Sequence, residues 1–236
     1  MRNIYKYVWL FLFTIMIIYI PGNLFSKEEI KLSEPSYDSK TSVEEALKNR
    51  RSVREYKDTE LKLKQMSQIL WSAYGITKPM PNAPEFLRGG FKTAPSAGAL
   101  YPLEIYLITD NVDGLMAGIY KYIPQGHKLI LVKQGEYKTQ LVQAAYGQDW
   151  IKQAPAILVY TAVYDRTTDK YGERGRNRYV GIDLGHSGQN VYLQCESLGL
   201  ATCAVGAFDD EMVQNIVDAH KDETALYIMP LGEPKN

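Results

Sequence analysis

The chain has 236 residues, with 27 Lys and Arg against 27 Asp and Glu, two Cys and three His. Balanced charge gives no overall pull toward nucleic acid. Two cysteines are too few for a disulfide scaffold, and neither they nor the scattered His127, His186 and His220 have metal-motif spacing, so no metal is expected. Cys195 and Cys203 read as small buried hydrophobes, with a single bridge between them left open.

Residues 1–26 read as a signal peptide or membrane anchor. Arg2 and Lys6 precede an apolar run from Tyr7 to Ile20, and Pro21-Gly22 breaks it. The run is short for a spanning helix, and a buried core helix is the plainer alternative. The basic start favours export or attachment with the domain on the extracytoplasmic side, and an anchored domain facing the cytoplasm is the other option. Residues 27–40 read as a polar linker and residues 41–236 as one domain.

Within the domain, Thr41 with Glu44 or Ser42 with Glu45 forms a capping box for a helix with Val43, Ala46 and Leu47 as its apolar stripe. The basic run Arg50-Arg51-Ser52-Val53-Arg54 follows. A second helix spans Leu63 to about Ala73, stopped at Gly75, and the proline-rich stretch from Lys78 to Gly90 is a loop. Leu103 to Thr109 is a strand of mixed burial. Gly118 to Ile123 and Lys128 to Val132 are strands joined at Pro124-Gln125-Gly126. A helix covers Tyr137 to Tyr146, a central strand Pro155 to Tyr164, and a charged loop Asp165 to Arg176. A long helix runs from Arg178 to Leu198, ended by Gly199. Its Gly181, Gly185 and Gly188 suit close packing, with a subunit contact as one setting. A short strand at Ala201 to Val205, a helix capped by Asp209 and a last strand Ala225 to Leu231 complete an α+β order, helices around a central sheet.

Three segments could carry chemistry. Arg50 to Arg54 gathers three guanidinium forks and a hydroxyl, a donor set matched to a phosphate, although alone such a run is more often a solvated face. Pro95-Ser96-Ala97-Gly98 would let backbone approach a flat ligand, or be a plain turn. Gly206-Ala207 ends a strand just before a helix and exposes backbone N–H groups, or is an ordinary strand-to-helix turn.

Taken in order, Arg50-Arg51-Ser52-Val53-Arg54, Pro95 to Tyr106, Gly188-Gln189-Asn190, Leu198-Gly199-Leu200 and Gly206-Ala207-Phe208 resemble the nitroreductase-like FMN oxidoreductases. The likeness is strongest to the SagB-type, thiazole/oxazole-forming dehydrogenases, and it covers about Ser42 to Gly232. It implies an α+β nitroreductase-like fold with a mainly antiparallel sheet and a two-fold homodimer sharing its FMN sites. It also implies hydride exchange through flavin N5 with NAD(P)H as reductant and an unidentified small-molecule substrate. Dehydrogenation of a peptide azoline and non-catalytic flavin binding are the alternatives. By this resemblance Arg50 and Ser52 hold the phosphate and ribityl chain, Arg51 is a further cofactor-binding residue, and Arg54 lies at the pyrimidine end. Pro95, Ser96, Ala97 and Gly98 come from the partner subunit, while Gly206 and Ala207 face N5. No catalytic acid or base is assigned, although Tyr101 is a candidate to line the pocket. The basic residues that often follow the family's last strand are reduced here to Lys235. The Lys-Tyr pair of the peptide-cyclising members has two candidates, Lys121-Tyr122 and Lys170-Tyr171.

Overall fold

A computed structural model describes residues 28–235. The signal or anchor reading falls on residues that lie outside these. Among the described residues no helix is long and apolar enough to cross a membrane.

The strands in chain order are β1 (Glu29–Lys31), β2 (Leu61–Lys62), β3 (Ile76–Pro79), β4 (Gly90–Lys92), β5 (Leu103–Thr109), β6 (Val112–Asp113), β7 (Gly118–Ile123), β8 (Lys128–Gln134), β9 (Ala156–Val163), β10 (Ala201–Thr202) and β11 (Glu223–Gly232). The helices are α1 (Val43–Asn49), α2 (Leu63–Tyr74), α3 (Lys138–Ala144), α4 (Asp165–Tyr171), α5 (Val180–Leu198) and α6 (Asp210–Val217). The main sheet has the order β1-β8-β7-β5-β9-β11-β10, and every neighbouring pair is antiparallel. The expected α+β class and antiparallel sheet are therefore what the chain forms.

Strand alternation explains why β9 is buried along its whole length and β5 everywhere but at Glu104. Successive side chains point to opposite faces, and here both faces are covered. Leu158, Tyr160 and Ala162 of β9 join Leu103, Ile105 and Leu107 of β5 under α2 and α5. Ile157 and Val159 join Tyr106 and Ile108 beneath α3 and α6. These two cores clamp the sheet.

Several expectations are revised. Residues 28–40 of the expected linker are fixed to the domain: β1 pairs with β8, Leu32 is buried, and Ser36 N donates to Gln68 Oε1 at 2.8 Å. Ser42 caps α1, accepting from Glu45 N at 3.1 Å. Of the proposed stripe only Ala46 is buried, while Val43 and Leu47 are exposed. The stretch Asp165 to Arg176 is helical, being α4 followed by a π-helical turn at Gly175–Tyr179. Tertiary anchoring outweighs its weak intrinsic propensity. Thr167 is buried, and Arg166 reaches Glu104 at 2.5 Å and the Tyr101 carbonyl at 3.3 Å. In α5, Gly188 packs against Tyr227 as close packing requires, whereas Gly181 and Gly185 face open space.

Lys92 is a further departure from ordinary sorting. Only 8% exposed, its amine sits 4.4 Å from the Tyr101 ring centre and 5.4 Å from that of Tyr74. Burial first, and then the Arg88 charge, push its pKa down from the ordinary 10.5 to about 8. Between those values the unfolded chain binds more protons than the folded one, so this group's contribution to stability rises as pH rises from about 8 to 10.5. Below about 8 the folded state carries the full cost of the buried charge. Lys92→Met is expected to stabilise the protein at pH 7 by about 1–2 kcal/mol, the lost cation–π contacts offsetting part of the relief. It should also flatten the alkaline rise, and chemical denaturation across this pH range measures both effects.

Candidate active site

The basic run is an extended segment laid along β10. Ser52 forms a parallel bridge with Thr202, and Val53 N donates to Thr202 O at 3.1 Å. Alternation along extended backbone sends residues 50, 52 and 54 to one side. Arg50 lies over the Tyr192 ring at 5.1 Å and Arg54 over the Trp150 ring at 5.6 Å. Arg51 turns away, donating to Lys48 O at 3.0 Å and Arg50 O at 2.8 Å, where it satisfies carbonyls at the end of α1. Among the described residues, neither Arg50 nor Arg54 has a carboxylate partner. The side therefore presents two cations that the described residues leave without a carboxylate partner.

The Gly206-Ala207 turn joins the same side. Tyr192 of α5 bonds Ser52 Oγ at 3.0 Å and accepts from Ala204 N at 2.8 Å, tying the basic run to the strand that leads into the turn. Gln148 donates to Ala207 O at 3.0 Å, two residues before the Trp150 that underlies Arg54. Gly206 and Ala207 are exposed, and a Cβ at Gly206 would meet nothing nearer than Tyr227 at 4.0 Å. A flat ligand can thus approach this backbone. Tyr192, Trp150 and Gln148 are supports that the sequence reading missed, since an isolated Tyr, Trp or Gln carries no spacing signal.

The third segment is elsewhere in the chain. Ser96 Oγ donates to Asp183 Oδ2 at 2.6 Å and Ala97 N to Asp183 Oδ1 at 3.2 Å, at the start of α5. Burial raises the Asp183 pKa, and these two hydrogen bonds work against that rise. Asp183 and Tyr192 are nine residues apart, which on an α-helix is roughly 13 Å of rise and two and a half turns. They occupy opposite faces of α5, so one chain does not bring Pro95 to Gly98 together with Arg50 to Arg54. Gly98 adopts φ 62°, and a Cβ there would lie 2.8 Å from the Tyr171 hydroxyl and 3.2 Å from the Lys170 amine. Lys170 and Tyr171 therefore converge on this segment. Lys121-Tyr122 is instead engaged elsewhere: half-buried Lys121 pairs with Glu223 at 2.7 Å, and Tyr122 is a core residue whose hydroxyl meets His127 Nδ1 at 2.8 Å. Tyr101 is also a core residue, 3% exposed beneath Lys92, rather than a pocket wall. A broad groove of about 1370 Å³ between residues 34–43, α2 and α5 contains none of the expected cofactor residues.

The described residues thus form a helix-covered antiparallel sheet of α+β class, with guanidinium groups free of carboxylate partners beside an open glycine turn. The Nitroreductase family model matches residues 47–233, and the chain belongs to the nitroreductase family. MJ1384 of Methanocaldococcus jannaschii, which carries a nitroreductase name, is 45% identical over 190 residues, covering 80% of this chain and 90% of that protein. The microcin B17-processing protein McbC of Escherichia coli is 26% identical over 140 residues, 57% of this chain and 51% of McbC. Among solved structures, a nitroreductase-named protein of Ralstonia eutropha superposes with a TM-score of 0.74 at 27% identity, covering 90% of this chain and 92% of that one.

Proposed function

We propose that this oxidoreductase is a homodimer that binds FMN at two shared sites. The carrying observation is the pair of cations without a carboxylate partner among the described residues, Arg50 and Arg54, aligned with the Ser52 hydroxyl beside the open Gly206-Ala207 backbone. The donor chemistry fits the group: forked guanidinium donors for a phosphate at one end and exposed backbone N–H groups for a ring acceptor at the other. Bound FMN would supply hydride exchange at N5, with NAD(P)H as reductant and a small molecule as second substrate.

The chain's own residues supply position and charge. Arg50 and Ser52 grip the phosphate end. Arg54 offsets negative charge developing at the pyrimidine end, which is electrostatic stabilisation of an anion. Gly206 and Ala207 offer backbone close to the reacting edge, and Arg51 braces the end of α1. The placement of Pro95 to Gly98 on the opposite face of α5 supports its delivery to the site by a second copy, as a two-fold dimer allows.

A second reading, flavin-dependent dehydrogenation of a peptide azoline, draws on the convergence of Lys170 and Tyr171 on Gly98 and on the similarity to McbC. One experiment separates the readings. The purified full chain is expected to be yellow and to bleach when NADH or NADPH is added anaerobically. Yellow protein that neither nicotinamide bleaches favours the dehydrogenase, and protein that takes up no FMN sinks both.

A further inference from the structure

We propose that Tyr192 is a positioning residue that turns the Ser52 hydroxyl into an outward hydrogen-bond donor for the FMN phosphate. The inference rests on the flavin reading above and adds how its phosphate end is assembled.

The direction of the hydrogen bonds follows from donor counting. A phenol has one hydrogen and two lone pairs, and a backbone N–H can only donate. Ala204 N donates to the Tyr192 oxygen at 2.8 Å, so that contact uses a lone pair and leaves the phenol hydrogen to be placed. The Ser52 oxygen stands 3.0 Å away and is the other polar partner of that phenol among the described residues. If Ser52 donated to Tyr192, the phenol hydrogen would lose this partner, and Ser52 would turn lone pairs toward an incoming anion. With the phenol donating to Ser52, every group is satisfied and the Ser52 hydrogen points outward. The order is Ala204 N–H to Tyr192 O–H to Ser52 O–H to phosphate oxygen, and each bond polarises the next.

Two further features fit this role. The Tyr192 ring also lies beneath the Arg50 guanidinium at 5.1 Å, so one side chain fixes both the hydroxyl and a cation. Ser52 is exposed, and its backbone is pinned to Thr202, which leaves the hydroxyl's direction as the variable that Tyr192 sets.

The test uses the full chain titrated with FMN and, separately, with riboflavin, which lacks the phosphate. Tyr192→Phe removes one oxygen and keeps the ring under Arg50. It is expected to weaken FMN binding about 10- to 30-fold, the lower part of the range of a hydrogen bond to a charged group, and to leave riboflavin binding unchanged. Ser52→Ala keeps Tyr192 bonded to Ala204 and should show the same phosphate-selective loss. The double variant should be no worse than either single one, because the two groups act as one relay. Equal weakening of FMN and riboflavin would mean that Tyr192 only supports the Ala204 strand, and unchanged FMN binding would remove the role altogether. Wild-type protein that binds neither flavin overturns the flavin reading and the relay with it.

Discussion

Replacing Arg50 and Arg54 together by Ala is expected to abolish FMN retention, lowering affinity at least about 100-fold, since charge-assisted hydrogen bonds contribute roughly 1.5–3 kcal/mol each. The fold should survive. Both guanidinium groups rest on aromatic faces and neither has a carboxylate partner among the described residues, so their removal strands no buried charge. Arg51→Ala is the built-in control. Its guanidinium is turned back onto Lys48 O and Arg50 O, so it should cost some helix-end stability while FMN binding stays within about threefold. Absorbance of the purified protein at flavin wavelengths, followed by FMN titration, measures all three variants. FMN that stays tightly bound in the double variant would make the basic run a solvated face. The same loss in Arg51→Ala would mean that residue 51 contacts the ligand directly.

The alternation within residues 50–54 was readable only after the segment was known to be extended. As a run of letters, Arg50, Arg51 and Arg54 are equivalent. Once Ser52 is bridged to Thr202, parity separates Arg51 from the other two. The same limit accounts for α4 and its π-helical turn. Asp165 to Arg176 has a loop's composition, and it is helical because Arg166 is drawn to Glu104 and Thr167 is packed inward. The elements that were legible carry strong local signals: the Ser42 cap, Gly75 and Gly199 closing α2 and α5, Asp209 capping α6, and the unbroken apolar run of β9. Val43 and Leu47 show where periodicity misleads. Their spacing is that of a buried stripe, yet only Ala46 between them meets the core. Tyr192 was illegible for a different reason. Its importance lies in joining residues 52 and 204, which are distant in sequence, and a one-residue signal has no pattern to find.

Glu223→Ala is expected to be the most destabilising of these changes, at roughly 3–5 kcal/mol, the cost of removing one partner from a buried ion pair. Glu223 is 3% exposed and lies at the start of β11, yet it serves three strands at once. Its Oε1 meets Lys121 of β7 at 2.7 Å. Its Oε2 accepts from Tyr106 of β5 at 2.9 Å and from Thr161 of β9 at 2.5 Å. The Tyr106 pKa is pushed up by burial first and by the Glu223 charge second, so the phenol stays a donor. Lys121 also approaches Glu104 at 3.4 Å, and Glu104 is bound by Arg166 at 2.5 Å. Burial alone would raise the Glu104 pKa; the charges of Lys121 and Arg166 outweigh it and hold the carboxyl below its usual range. The network therefore stitches β7, β5, β9 and β11 through charge where the rest of the sheet is held by apolar packing. Removing Glu223 leaves two buried hydroxyls without their acceptor and Lys121 with only Glu104. Glu223→Gln should be nearly as damaging, because one amide oxygen cannot serve both hydroxyls and the lysine, and its NH₂ would face an ammonium. The double change Lys121→Met with Glu223→Met should recover part of the loss, since the stranded charge leaves with its partner. Denaturant unfolding of the three variants decides the matter. A double variant no more stable than Glu223→Ala would show that the hydroxyl acceptors, rather than the uncompensated lysine, dominate the cost.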